Sequence, residues 1–192
     1  MIENYKLFLA FITKNLDSYF EEQSPYIFCK KGCAKCCKNA QFPYSKLEAS
    51  YLTLGFMRLD EPVKNIVIQN IAKIKRDKQN FQGEKFLYTC PFLTDDVCSV
   101  YQYRGIICRT FGLIADSHDD IAKIPFCHKD GLNYSNVMDF EKGKITKEKW
   151  QEAGYNVEPH GFNISYEFMT SSKIQKAFNI EFGEKKSMID WF

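Results

Sequence analysis

Apolar side chains recur every three to four positions at Ile2, Tyr5, Leu9, Ile12, Leu16 and Tyr19, a spacing that predicts an amphipathic helix ending before Pro25. Ser45-Lys-Leu-Glu48 reads as a capping box opening a second helix that carries Leu47, Tyr51 and Leu54. A third begins at Asp60-Glu61-Pro62 and shows Val63, Ile66, Val67, Ile71 and Ile74 on one side. Its last turns hold Lys73, Lys75, Arg76 and Lys78, cations that suit the negative end of a helix dipole. Residues 79–89 are a polar linker. Beyond them, Thr110 to Ala115 and Ile121 to Phe126 predict a hairpin around residues 116–120, followed by a short helix at 146–152, a strand at 162–168 and a helical segment at 171–178. The apolar end, Met188 to Phe192, is expected to dock on the core. No repeat, low-complexity tract or Gly/Ser linker divides the chain, so the expectation is a mainly α fold: one small domain over residues 1–192 with a short β-hairpin.

Composition narrows the classes. The 192 residues are 45% hydrophobic and 26% charged, enough apolar material for a continuous core. Lys and Arg number 26 against 24 Asp and Glu, so the net charge of +2 gives no global field for a nucleic acid or a membrane surface, and neither partner is expected. The longest apolar run, Leu7 to Ile12, is far short of the roughly 20 residues that span a bilayer. The first residues lack the cationic start and cleavage site of a secretory signal, which points to a cytoplasmic protein.

Eight cysteines then change the picture: Cys29, Cys33, Cys36, Cys37, Cys90, Cys98, Cys108 and Cys127. In a reducing compartment such a set points to metal or catalysis more than to disulfides. The adjacent pair Cys36-Cys37 adds weight, because neighbouring cysteines rarely bridge each other. Thiolate is a soft ligand that selects zinc, cuprous copper or iron-sulfur clusters. A continuous helix over 29–37 would string the four thiols along about 12 Å, useless to one tetrahedral ion. Gly32 instead favours a loop before a helix, with Cys33, Cys36 and Cys37 on one face and Cys29 folding back. Adjacent thiols point in different directions, which fits two metal positions or a multi-iron cluster better than one isolated zinc. Lys30, Lys31, Lys35 and Lys38 surround the group, and nearby cations lower thiol pKa values. Of only four arginines, Arg104 and Arg109 flank Cys108, where a guanidinium can bond sulfur or fix an acidic partner behind the ligands.

The whole pattern resembles the YkgJ-type cysteine-cluster family, whose domains are described as chelating zinc or iron through eight characteristic cysteines. The resemblance covers about residues 26–128. It rests on Cys29-x3-Cys33-x2-Cys36-Cys37, then Cys90-Pro91-Phe92-Leu93, Cys98, Tyr101-x2-Arg104-x3-Cys108-Arg109-x-Phe111 and Cys127. It implies that all eight cysteines are ligand candidates for zinc or an iron-sulfur cluster. Ala34 stands where glycine is common, and Gly105 where proline commonly follows the arginine. A related flagellin lysine methylase is understood to use an iron-sulfur cluster with S-adenosylmethionine, so a protein methylase is one alternative to a plain metal-binding protein. A radical-type enzyme is another: Cys29-x3-Cys33-x2-Cys36 has the three-cysteine spacing of radical S-adenosylmethionine enzymes, though Lys35 replaces their usual aromatic residue and their strand-helix repeats are missing. No glycine-rich phosphate loop and no His-Glu-x-x-His motif accompanies the cysteines.

The remaining polar residues have plainer readings. His128 reads as a surface-loop histidine beside Cys127, and His118 and His160 as exposed. Asp95 and Asp96 read as turn residues, and the 11 tyrosines and 17 phenylalanines as core or as the dry walls of the cysteine site. Asn133-Tyr-Ser135 and Asn163-Ile-Ser165 match glycosylation sequons that carry no meaning in a cytoplasmic protein.

Overall fold

The first helix forms as its periodicity requires. In the computed structural model, which describes residues 1–30, 32–116 and 122–192, α1 is Ile2–Glu22 and buries Tyr5, Phe8, Leu9, Ile12 and Leu16 along one stripe. Each buried side chain of this size is worth about 1.5–3 kcal/mol against exposure. The stripe meets Leu47, Tyr51, Ile106, Ile164, Met169 and Phe182 in a core that joins elements from both ends of the chain.

The cysteine segment follows a short 3-10 turn at Ser24–Tyr26. Gly32 sits at φ +90°, a left-handed conformation that glycine tolerates without strain, and the chain then enters a single helical turn, α2, Lys35–Lys38. Strand β1, Pro43–Ser45, leads into α3, Lys46–Met57. The capping box at its start is complete: Ser45 Oγ accepts from Glu48 N, and the Glu48 carboxylate accepts from Ser45 N. Helix α4, Glu61–Gln79, buries Val67 and Ile74, while Ile66 faces solvent.

Next comes a tight hairpin, β2 (Leu93–Thr94) against β3 (Val97–Cys98), turning through Asp95 and Asp96, both at positive φ. These two aspartates are thus the turn that their sequence suggests. One helical turn, α5, spans Ile106–Thr110. A second small hairpin pairs β4, Met138–Asp139, with β5, Lys144–Ile145, before α6, Lys147–Glu152. Helices α7 (Tyr166–Met169) and α8 (Ser172–Phe178) precede β6, Lys185–Ser187, which runs antiparallel to β1 with Pro43 opposite Ser187. The chain then buries Met188 and Ile189 against the cysteine region, as the apolar end foretells. No helix among the described residues is long and apolar enough to cross a membrane.

Two expected elements differ. Thr110 closes α5 instead of opening a strand, and of the hairpin expected at 110–126 the described residues show one antiparallel bridge, Ala115 to Lys123; residues 117–121, including His118, lie outside the described residues. The strand expected at 162–168 is a single bridge at Phe162 followed by α7, because Ser165 Oγ accepts from Phe168 N and caps a helix there.

Candidate metal centre

Six short stretches deliver the cysteines. The loop after Tyr26 carries Cys29 and Cys33, with a tight turn in which Cys33 N donates to Lys30 O at 2.8 Å. Helix α2 carries Cys36 and Cys37, whose sulfurs are 3.9 Å apart. The next segment is tied directly to it: Cys90 N donates to Cys37 O at 2.7 Å, and Leu93 N then donates to Cys90 O at 3.0 Å. Cys98 enters from β3 opposite Leu93, and Cys108 from α5. Cys127 comes from a 3-10 turn, Phe126–Asp130.

Seven of the eight, Cys29, Cys33, Cys36, Cys37, Cys90, Cys98 and Cys108, line one cavity of about 770 Å³. Cys127 is buried and does not line the cavity, but lies within electrostatic reach of Cys36 and Cys33. All eight are free thiols. Phe42, Tyr44, Phe92 and Phe111 supply apolar walls, the drying role expected of the aromatics. Among the described residues, however, no three His, Cys, Asp or Glu side chains converge at the spacing of a single ion. The thiols line a volume, not a point.

Their protonation departs from the expectation that lysines would depress it. Burial pushes the Cys108 thiol up to about 12 and Cys127 to about 11 from an ordinary value of 9.0, and raises Cys90 and Cys98 as well. Cys36 is lowered, to about 7, chiefly by the hydrogen bond it shares with Cys37, with Arg104 acting in the same direction; Cys37 is raised by the same bond. No lysine is among the groups that shift these thiols, although Lys30 lines the cavity. Lys38 pairs with Asp96 at 2.6 Å and Lys35 with Asp130 at 3.6 Å, while Lys31 lies outside the described residues.

Arg104 and Arg109 both line the cavity, but they act through backbone. Arg104 stacks 3.5 Å over the Tyr101 ring, and its Nη1 donates to Cys108 O at 3.3 Å, not to sulfur. Arg109 donates to Arg104 O, Gln102 O and Thr13 Oγ1, bracing the turn before α5 against α1. Among the described residues neither meets a carboxylate at ion-pair distance.

Three residues at this site escape sequence reasoning. Asn133, 1% exposed, accepts at Oδ1 from Phe28 N and Cys29 N and donates from Nδ2 to Gly112 O. Tyr44 places its hydroxyl 3.4 Å from Cys108 Sγ. Glu48, fully buried, accepts from Ile106 N at 2.9 Å, so the capping group of α3 also holds the start of α5. Burial raises the Glu48 carboxyl while the Tyr166 hydroxyl and the Ser45 and Ile106 amides pull the other way. Only Glu48 left a local signal, the capping box. His128 corrects its surface reading: it is buried, with Nδ1 2.8 Å from Pro125 O. His160 is exposed, as expected, beside Glu22.

No curated protein and no solved structure matches this chain. A family model does: that of CxxCxxCC, described as a "Putative zinc- or iron-chelating domain", matches residues 28–128. The matched stretch holds all eight cysteines and more than half of the chain, so the protein belongs to the CxxCxxCC family.

Proposed function

We propose that the protein binds iron as an iron-sulfur cluster through clustered cysteine thiolates. The observation that carries this reading is the lining of one 770 Å³ cavity by seven free thiols, the vicinal pair Cys36 and Cys37 among them. A tetrahedral zinc site draws four ligands to one centre, whereas a cluster presents its irons to thiolates spread around a larger core. The candidate ligands are Cys29, Cys33, Cys36, Cys37, Cys90, Cys98, Cys108 and Cys127, and one domain over 1–192 holds them. Arg104 and Arg109 orient the segment that carries Cys108 and offset the negative charge of bound thiolates. Such a cluster, when bound, supplies one-electron chemistry.

Binding a cation exchanges thiol protons for metal, so affinity rises with pH. Anaerobic purification followed by iron, acid-labile sulfide and zinc analysis tests the reading. A coloured protein with iron and sulfide supports it; a colourless protein with stoichiometric zinc overturns it in favour of zinc chelation.

One feature favours a second reading, an enzyme using S-adenosylmethionine. The cavity continues past the thiols to Thr13, Asp17 and Phe20 of α1, leaving room for a small molecule beside the cluster. Cleavage or binding of S-adenosylmethionine by the reduced protein would select this reading, and failure of both would remove it.

A further inference from the structure

Tyr44 is 1% exposed and is held from three directions. Its strand pairs with β6, its carbonyl accepts from Trp191 Nε1 at 2.9 Å, and its ring packs against Gly105 so closely that a Cβ there would lie 2.7 Å from Cζ. The hydroxyl has two neighbours. Gly105 N donates to it at 2.9 Å, and Cys108 Sγ lies 3.4 Å away. A backbone N–H can only donate, so it occupies a lone pair on the phenol oxygen and leaves the single phenolic proton for sulfur.

We propose that Tyr44 is a positioning residue that donates its phenolic proton to Cys108 Sγ and holds that sulfur as a hydrogen-bonded thiolate toward the bound metal. This rests on the reading of Cys108 as a metal ligand. The bond strengthens when sulfur carries charge, because an ionised acceptor makes hydrogen bonds roughly twice as strong. It also withdraws electron density from sulfur, and hydrogen bonds to ligating sulfurs are among the features that set cluster potentials. The geometry is enforced from both sides. Glu48 Oε1 takes the Ile106 N–H and Tyr44 takes the Gly105 N–H, so two consecutive amides at the start of α5 fix the turn that aims Cys108.

The test uses the full chain loaded with cobalt(II), whose sulfur-to-metal charge-transfer band reports on thiolate donors. Tyr44→Phe is expected to keep the cobalt stoichiometry, move that band to lower energy and release metal to a chelator about tenfold faster. Tyr5→Phe is the control, because the buried Tyr5 hydroxyl has no hydrogen-bond partner among the described residues; it should match the parent protein. Installing 3,5-difluorotyrosine at position 44 keeps the ring and both partners but strengthens the donor, and should move the band to higher energy even if Tyr44→Phe folds poorly. Cys108→Ser separates the two levels of inference. If it leaves the band unchanged in a protein that binds cobalt, Cys108 is no ligand and the proposal falls while thiolate metal binding stands. A band unmoved by both changes at position 44, or moved equally by Tyr5→Phe, overturns the proposal alone. Where the parent protein takes up no cobalt, the same variants are read on the sulfur-to-iron charge-transfer bands of the anaerobically purified protein, and bands unmoved by Tyr44→Phe overturn the proposal.

Discussion

Asn133 joins three backbone groups from two distant segments, Phe28 and Cys29 on one side and Gly112 on the other, and does so in nearly complete burial. Removing the side chain strands two N–H donors and a carbonyl, each costly to leave unmade. Asn133→Ala should therefore lower stability by about 2–3 kcal/mol in urea unfolding, with unchanged slope. A loss within about 0.5 kcal/mol, the usual range for surface substitutions, would show that water replaces the amide. In sequence this residue appears only as the start of a glycosylation sequon, because its partners lie about 20 and 100 positions away. Tyr44 is hidden for the same reason. The cysteines were legible because their chemistry is written in residue type and spacing, whereas the groups that orient them are ordinary residues whose role exists only in three dimensions. The lysines show the opposite error: their sequence proximity suggested control of thiol charge, yet Lys38 and Lys35 are paired with Asp96 and Asp130.

Among the elements, α5 depends on a small residue at its start. Gly105 stands where the family resemblance implies proline, and the reason is the crowding around it: an added Cβ would lie 2.7 Å from the Tyr44 ring and 2.8 Å from Glu48 Oε1. Its φ of −71° is open to any residue, so the constraint is space and not backbone conformation. Gly105→Ala should cost about 1–3 kcal/mol by overpacking. Thermal melting of the metal-free variant checks this, and an unchanged midpoint would mean that the Tyr44 ring can retreat freely. The longer helices α1, α3 and α4 were legible because a 3.6-residue period repeats over several turns. The 162–168 stretch was not, since Phe162, Ile164, Tyr166 and Phe168 alternate as a strand would while the cap at Ser165 turns the chain into a helix. A period of two over so few residues does not separate these outcomes.

Across the whole molecule, buried thiols link stability to pH. Cys108 and Cys127 have values of about 12 and about 11 in the folded chain against an ordinary 9.0, so the native state favours their protonated form. That contribution is fully present below pH 9 and is lost as pH rises toward 11 and 12. Buried phenols such as Tyr44 and Tyr166, raised above 10, act with the same sign at the upper end. The metal-free protein should thus melt progressively lower from pH 9 to pH 11, and bound metal should flatten the decline because coordinated sulfur has already lost its proton. Melting curves with chelator and with metal across that range check both parts; a metal-free midpoint that stays constant or rises would contradict them.

The pairing of Pro43–Ser45 with Lys185–Ser187, with Trp191 closing over Tyr44, also orders events in time. A ribosome releases the vicinal thiols well over a hundred residues before it makes the strand and the indole that brace their wall. During that interval the wall behind Tyr44 is incomplete, and only the late segment finishes it.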